Sequence, residues 1–281
     1  MLSIIPNRSI VKISGVDSAK FLQNLVTNDL ALSNNNAIYA MMLSPQGRFL
    51  FDMFIIPVEN GYFLDVFTGT KDLLLKKLSM YKINMQVSIE DLEELKVCYA
   101  SLNKAGDNVI LEDAQRSSGI SNIIPYKDPR HKELGYRIIF SHASEDGDSY
   151  LQDKYKYAIP DGGIDLLHDK AMPQEYGAEQ LHAISYTKGC YVGQEVISRT
   201  KSQGVVRKKI YKVIADVDLS DIAHGTEITA DGVKVGIFCS GYLKEGIALI
   251  REGDLGMIED RDYILNDAII KLYRASWYPA Y

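Results

Sequence analysis

From Arg207 onward the chain is a series of short segments in which apolar and polar residues alternate: RKKIYKVIADV, TEITADGVKVGIF, YLKEGIALI and DYILNDAIIKLYR. Alternation of period two puts every second side chain on one face, so each segment reads as a strand with one buried side, and the DG, SG and EG pairs read as turns between them. Many short strands of this kind hide their open edges by closing or by packing as two layers. Residues 206–281 therefore read as a small all-β barrel or sandwich.

The earlier chain has a different rhythm. SIVKIS is strand-like, and DSAKFLQNLVTNDL carries Phe21, Leu22, Leu25 and Val26 on one helical face with Asp17 as N-cap. IYAMML and RFLFDMFIIPV are strands joined by SPQG, and YFLDVF follows a turn at ENG. Thr70 caps the helical TKDLLLKKLSMYKI, after which VSI and LKVCYASL return to strand. The pattern weakens between Gly106 and Pro129, HASEDGDS is a turn-rich loop, the NNN at 34–36 is a loop, and the helical YLQDKYKY stops before Pro160. These elements predict an α+β fold without the regular βαβ order of a nucleotide-binding sheet. A length of 281 residues suits two domains, with boundaries expected at 1–205 and 206–281.

Composition narrows the function classes. A net charge of -6 argues against a dedicated nucleic-acid or anionic-membrane binder, although GVVRKK at 204–209 is a local basic cluster. The start, MLSIIPNRSIVKISG, lacks a basic segment followed by a long apolar run, and no window has the length and apolarity of a spanning helix. Cys98, Cys190 and Cys239 are odd in number and far apart, which fits reduced thiols rather than a disulfide framework or a CxxC metal pair. Together these features predict a soluble, unexported, cytoplasmic protein. The five histidines have no metal-ligand spacing, and both GxGxxG and GxxxxGK[ST] are missing.

Two stretches carry candidate chemistry. In KGCYVGQE, Gly189 and Gly193 bracket Cys190, Lys188 is two residues away, and GQEVISRTKSQG reads as a helix ended by Gly204 in the left-handed conformation. A thiol before a helix start and beside a lysine is biased toward thiolate, so Cys190 is a candidate reactive or ligand thiol; the other reading is a small residue packing a tight loop. Glu195 and Arg199 lie four apart on one helical face. The second stretch is RFLFDMFII, where Asp52 interrupts an apolar strand and must face water or find a partner.

KGCYVGQE resembles the K-G-C-Y-x-G-Q-E signature of the YgfZ-type folate-binding proteins, relatives of the glycine-cleavage aminomethyltransferase. The resemblance extends through Arg199, Gly204 and Arg207, through MPQE at 172–175, and through SGVDSAKFLQNLVTND and LSPQGRFLFD near the start. It implies a mixed antiparallel-sheet folate-binding region followed by a C-terminal β-barrel, binding tetrahydrofolate or a derivative. It further implies a factor for assembly or repair of iron-sulfur proteins, especially [4Fe-4S] ones, with indirect effects on tRNA modification. Its partners would be folate and iron-sulfur carrier or client proteins, with no stable nucleic acid and no membrane. Carried over by position, Asp52, Glu175, Tyr191, Gln194, Arg199 and Arg207 are cofactor-binding candidates, and Lys188, Gly189, Gly193 and Glu195 complete the motif around Cys190. On this reading Cys190 ligates an iron-sulfur intermediate transiently, with a partner supplying the other ligands. Ala158 stands where the family commonly has glycine, and Lys154 where it commonly has arginine. The alternative is a tetrahydrofolate-dependent aminomethyl or one-carbon transferase, and whether there is turnover is left open.

Overall fold

The computed structural model describes residues 3–33, 36–102, 124–141, 147–252 and 261–279. His142, most of the weak-pattern segment after Gly106 and part of the NNN loop lie outside these residues. The chain divides into two compact units, one of residues 1–43, 50–150 and 181–192, the other of 44–49, 151–180 and 193–281.

The first unit contains two sheets. Strands β1 (Ser3–Ile4), β7 (Lys96–Ala100), β9 (Tyr136–Phe140) and β8 (Ile124–Lys127) make one, in that order. The other runs β3 (Ile38–Leu43), β4 (Phe49–Val58), β5 (Gly61–Phe67), β2 (Arg8–Ser14), β6 (Ser88–Leu92). Helices α1 (Ser18–Leu25) and α2 (Lys71–Tyr81) cover one face of this five-stranded sheet: Phe21, Leu22, Leu25, Leu74 and Leu78 join Val11, Ile13, Met53, Ile55 and Leu64 in one core. Each such side chain contributes about 1.5–3 kcal/mol by leaving water. Neither helix is capped as its sequence predicts. Asp17 and Thr70 stand at the N-caps without a side-chain cap bond, and Asp17 instead accepts the Gln86 N–H at 2.8 Å, tying the helix start to the chain that enters β6.

Strand β4 is buried from Phe49 to Ile56 without interruption, which means that both of its faces are covered. Alternate residues explain how: Met53 and Ile55 enter the apolar core, while Asp52 and Phe54 point to the opposite side. There Phe54 and Asp65 meet Tyr126 of β8 and Arg137 of β9, so the layer between the two sheets is polar and aromatic.

In the second unit, β10 (Lys208–Ala215), β13 (Glu245–Arg251), β12 (Val233–Tyr242), β11 (Glu227–Ala230), β14 (Tyr263–Leu265) and β15 (Ala268–Arg274) form a closed barrel, with β15 pairing back to β10. Its interior holds Tyr211, Val213, Ile228, Phe238, Ile250, Ile270 and Leu272, the inward set of the predicted alternation. Asp231 and Gly232, with φ of 50° and 76°, make the expected hairpin turn. The other glycine pairs do not all turn. Ser240–Gly241 and Glu245–Gly246 lie inside β12 and β13, and Leu243–Lys244 connects those strands. A Cβ on Gly246 would sit 2.8 Å from the Phe238 ring, so this glycine serves packing.

The second unit also carries α3 (Ser149–Lys156), which begins in the first unit, and α4 (Gln194–Gln203). After α3, Ala158 is buried with φ of 52°, a left-handed position that suits glycine. Lys154 is buried too, its ammonium 2.7 Å from Asp165 and 3.2 Å from Asp161. Helix α4 ends at Gly204 in an extended conformation (φ -98°, ψ 161°), not the left-handed one expected.

Candidate functional site

The signature loop is held by residues far away in sequence. After α1 the chain becomes extended at Val26, and Val26–Asn28 lies alongside residues 182–188 within the first unit. Ser185 N–H donates to the Thr27 carbonyl at 3.0 Å, Thr27 Oγ1 donates to the Ala183 carbonyl at 2.6 Å, and Asn28 Nδ2 donates to the His182 carbonyl at 2.7 Å. Lys188, only 7% exposed, completes the seam. Its ammonium donates to the carbonyls of Gln23 at 2.6 Å, Val26 at 2.5 Å and Asn28 at 2.9 Å. Those oxygens belong to the last turn of α1 and the residues after it, where helical carbonyls lack partners and the helix dipole favours a cation.

Burial pulls Lys188 from the usual 10.5 down to about 8, against an opposing pull from Asp29. The ammonium also stands 5.2 Å from the centre of the buried Tyr191 ring. Cys190, between these two buried residues, is exposed, whereas Cys98 and Cys239 are buried. Two sequence expectations about the thiol need correction. All three Lys188 donors are committed to carbonyls, so the lysine is not a free charge beside sulfur. The helix starts only at Gln194, and the residue at its N-cap is Gly193, in the left-handed region at φ 85°; Cys190 is not at the helix terminus. Of the two bracketing glycines Gly193 alone needs its freedom, because Gly189 keeps an ordinary φ and has open space around it.

Asp52 is 3% exposed and accepts a hydrogen bond from the Tyr39 hydroxyl at 2.9 Å, which decides between water and a partner in favour of the partner. Tyr39 also joins it to the signature loop: Asn28 Nδ2 donates to the Tyr39 carbonyl at 2.8 Å, and the Asn28 carbonyl receives Lys188. Asp52 and KGCYVGQE, 136 residues apart counting to Lys188 (188 − 52), are thus linked through Asn28 and Tyr39.

Beside Asp52 lies a buried charge cluster that sequence reading missed. Asp65 accepts from Arg8 Nε at 2.5 Å, Arg137 Nε at 2.9 Å and the Tyr126 hydroxyl at 2.6 Å. Asp128 takes a two-pronged contact from Arg130 at 3.0 and 2.8 Å, and Arg137 reaches it at 3.3 Å. The Phe54 ring sits among the three guanidiniums, 4.1 Å from that of Arg137, 4.9 Å from Arg130 and 5.4 Å from Arg8. Burial would raise the Asp65 carboxyl, but Arg137 and Arg8 outweigh it and hold it below the usual 3.8. Arg130, followed by Arg137, does the same for Asp128 against its burial. Burial would lower Arg8, yet Asp65, with help from Asp52, holds it above its usual value. Three arginines therefore face three carboxylates, counting Asp52, and the layer is charge-balanced.

The remaining predicted residues belong to the second unit. Glu175, on a 3-10 turn (Pro173–Tyr176), and Arg207 line one cleft of about 270 Å³ together with Gln174, Lys208 and Arg251. Lys208 approaches Glu175 to 3.6 Å, and Gln174 Nε2 donates to the Ile197 carbonyl of α4 at 2.9 Å. Gln194 opens α4, and Arg199 and Glu195 are exposed along it. Among the described residues no ion pair joins those last two, and Arg199 is not in the lining of the cleft. Nor do the described residues contain a group of three or more metal-ligating side chains.

Comparison with known proteins gives two family matches: the GCVT N-terminal domain over residues 7–103, and the CAF17 C-terminal beta-barrel domain over 207–280. The chain is 31% identical to the human mitochondrial iron-sulfur cluster assembly factor IBA57, an alignment covering 86% of this chain and 75% of that protein. The mouse protein of the same name is 32% identical, with 87% and 75% covered. Among solved structures, the glycine cleavage system aminomethyltransferase T from Bartonella henselae superposes with a TM-score of 0.76 over 99% of this chain and 86% of that one, at 12% identity. The expected α+β fold of that enzyme's type, ending in a closed barrel, is therefore the observed one. The cytoplasmic expectation is overturned, because these curated relatives are mitochondrial proteins. Reduced thiols carry no weight between two compartments that both keep thiols reduced.

Proposed function

Because the chain belongs to the family of IBA57 iron-sulfur cluster assembly factors, we propose that it supports the assembly or repair of [4Fe-4S] proteins, with Cys190 as its chemical centre. The observation that carries the reading is the placement of the one exposed cysteine between two buried anchors, Lys188 and Tyr191. A thiolate is a soft donor suited to iron. One sulfur does not satisfy a cluster, so the client or carrier protein supplies the remaining ligands and the complex is transient. Effects on tRNA modification then follow indirectly, through iron-sulfur enzymes that modify tRNA.

A reduced folate belongs to the same proposal, in keeping with the aminomethyltransferase-type domain and the resemblance to YgfZ-type proteins. The residues fit such a ligand by type. In the first unit Asp52 is a buried acceptor suited to ring N–H groups, with Tyr191 as an aromatic surface. When bound, a tetrahydrofolate supplies an electron-rich pteridine and the acceptor nitrogens of one-carbon chemistry. The chain's own part is to hold it: the Tyr39 hydroxyl donates to the Asp52 carboxylate and fixes its orientation. We take residues 1–205 as the folate-binding region and 206–281 as the barrel.

Two measurements test the proposal. In cells lacking the endogenous factor, Cys190→Ser should abolish support of [4Fe-4S] enzyme activity; full support by the serine variant excludes the thiol, and a folate-dependent transferase that keeps turnover takes its place. Calorimetric titration with tetrahydrofolate should show binding that Asp52→Ala weakens. Binding indifferent to that change removes Asp52 from the site.

A further inference from the structure

We infer that Lys188 is a positioning residue: its contacts with the Gln23, Val26 and Asn28 carbonyls fasten residues 188–191 to the end of α1 and so fix where Cys190 stands. The function of a fixed thiol rests on the reading of Cys190 given above, but the fastening is a property of the chain alone.

The geometry is that of a cap supplied from outside the helix. Three carbonyls around one ammonium match its three N–H donors, and hydrogen bonds to a charged donor each contribute more than neutral ones. Arginine does not reproduce this arrangement, since a planar fork directs its donors in one plane whereas a compact ammonium serves three oxygens converging from different residues. Around this clamp the neighbouring bonds from Thr27, Asn28 and Ser185 hold residues 182–185, and Lys188, with the Tyr191 ring beneath its ammonium, holds the loop further along. Gly189 adds no restraint, having open space about it. Without the lysine, Cys190 would lose the three charged hydrogen bonds nearest to it in the loop.

The test is a nitroxide attached to Cys190 of the full chain, read by electron paramagnetic resonance. Cys98 and Cys239 are buried, and the folded protein is labelled at one position. In the wild type the label should be immobile. Lys188→Met should be severalfold more mobile, and Lys188→Arg intermediate. A label equally immobile in Lys188→Met overturns the inference; should Lys188→Met fail to fold, a label as immobile in Lys188→Arg as in the wild type overturns it. Because no cluster, folate or client enters the measurement, failure of the clamp and failure of the assembly role are separate outcomes.

Discussion

Replacing Asp65 by asparagine tests whether the charged layer between the two sheets holds the first unit together. The carboxylate has no exposed surface and receives two guanidiniums and a phenol, with distances from 2.5 to 2.9 Å. Asparagine keeps the shape and one carbonyl acceptor but removes the charge, leaving Arg8 and Arg137 buried with only Asp128 and Asp52 to balance three cations. Removing one partner of a buried pair costs about 3–5 kcal/mol, chiefly the penalty of the charge left behind. At about 2–4 °C per kcal/mol for a unit of this size, the melting transition of the first unit should fall by about 6–20 °C. Differential scanning calorimetry reads the shift. The companion variant Arg8→Met/Asp65→Leu removes one cation and one anion together, leaving Arg130 and Arg137 against Asp128 and Asp52, and should lie much closer to the wild type, since an apolar replacement of matched volume is often near neutral. A drop below about 1 kcal/mol in Asp65→Asn, or a double variant as unstable as the single one, would refute the argument that charge balance is what matters there.

The same carboxylates set the acid limit. Asp65 and Asp128 are held below 3.8 in the folded protein, so below 3.8 the unfolded chain binds more protons than the folded one and stability falls as pH drops; denaturant titrations at several acidic pH values should show the midpoint declining there, and a midpoint independent of pH contradicts it. Ala158→Gly should stabilise the second unit by about 1 kcal/mol, because φ of 52° is left-handed and a Cβ there costs about 1–2 kcal/mol; a lower melting temperature counts against strain at that residue. Gly193→Ala should destabilise by a similar amount, its φ being 85°, while Gly189→Ala should change little. Equal effects of the two glycine substitutions would contradict a conformational cost specific to Gly193.

What local pattern reveals and what it hides can be seen by comparing three strands. In RFLFDMFII a carboxylate breaking an apolar run marks Asp52 as a group needing a partner, and it has one in Tyr39. YFLDVF and YRIIF carry the same signal at Asp65 and Arg137, where each charge interrupts a strand that is buried around it. Reading all three together leads to the physical conclusion, because charges of opposite sign forced into one interior must meet. The barrel was legible because its alternation and its DG turn are local, and the glycine pairs misled because Gly241 and Gly246 are small for the sake of Phe238 and Leu219, which are contacts that spacing does not encode. The signature loop shows the same limit more sharply. KGCYVGQE displays its residue types in eight positions, yet what Lys188 does depends on carbonyls at 23, 26 and 28, and backbone oxygens leave no trace in a sequence. A lysine beside a cysteine invites the reading of an activating charge. Buried next to a helix end that lacks partners, the same lysine is worth more to the chain as a cap, and the loop gains its shape from a helix more than 160 residues earlier (188 − 26 = 162).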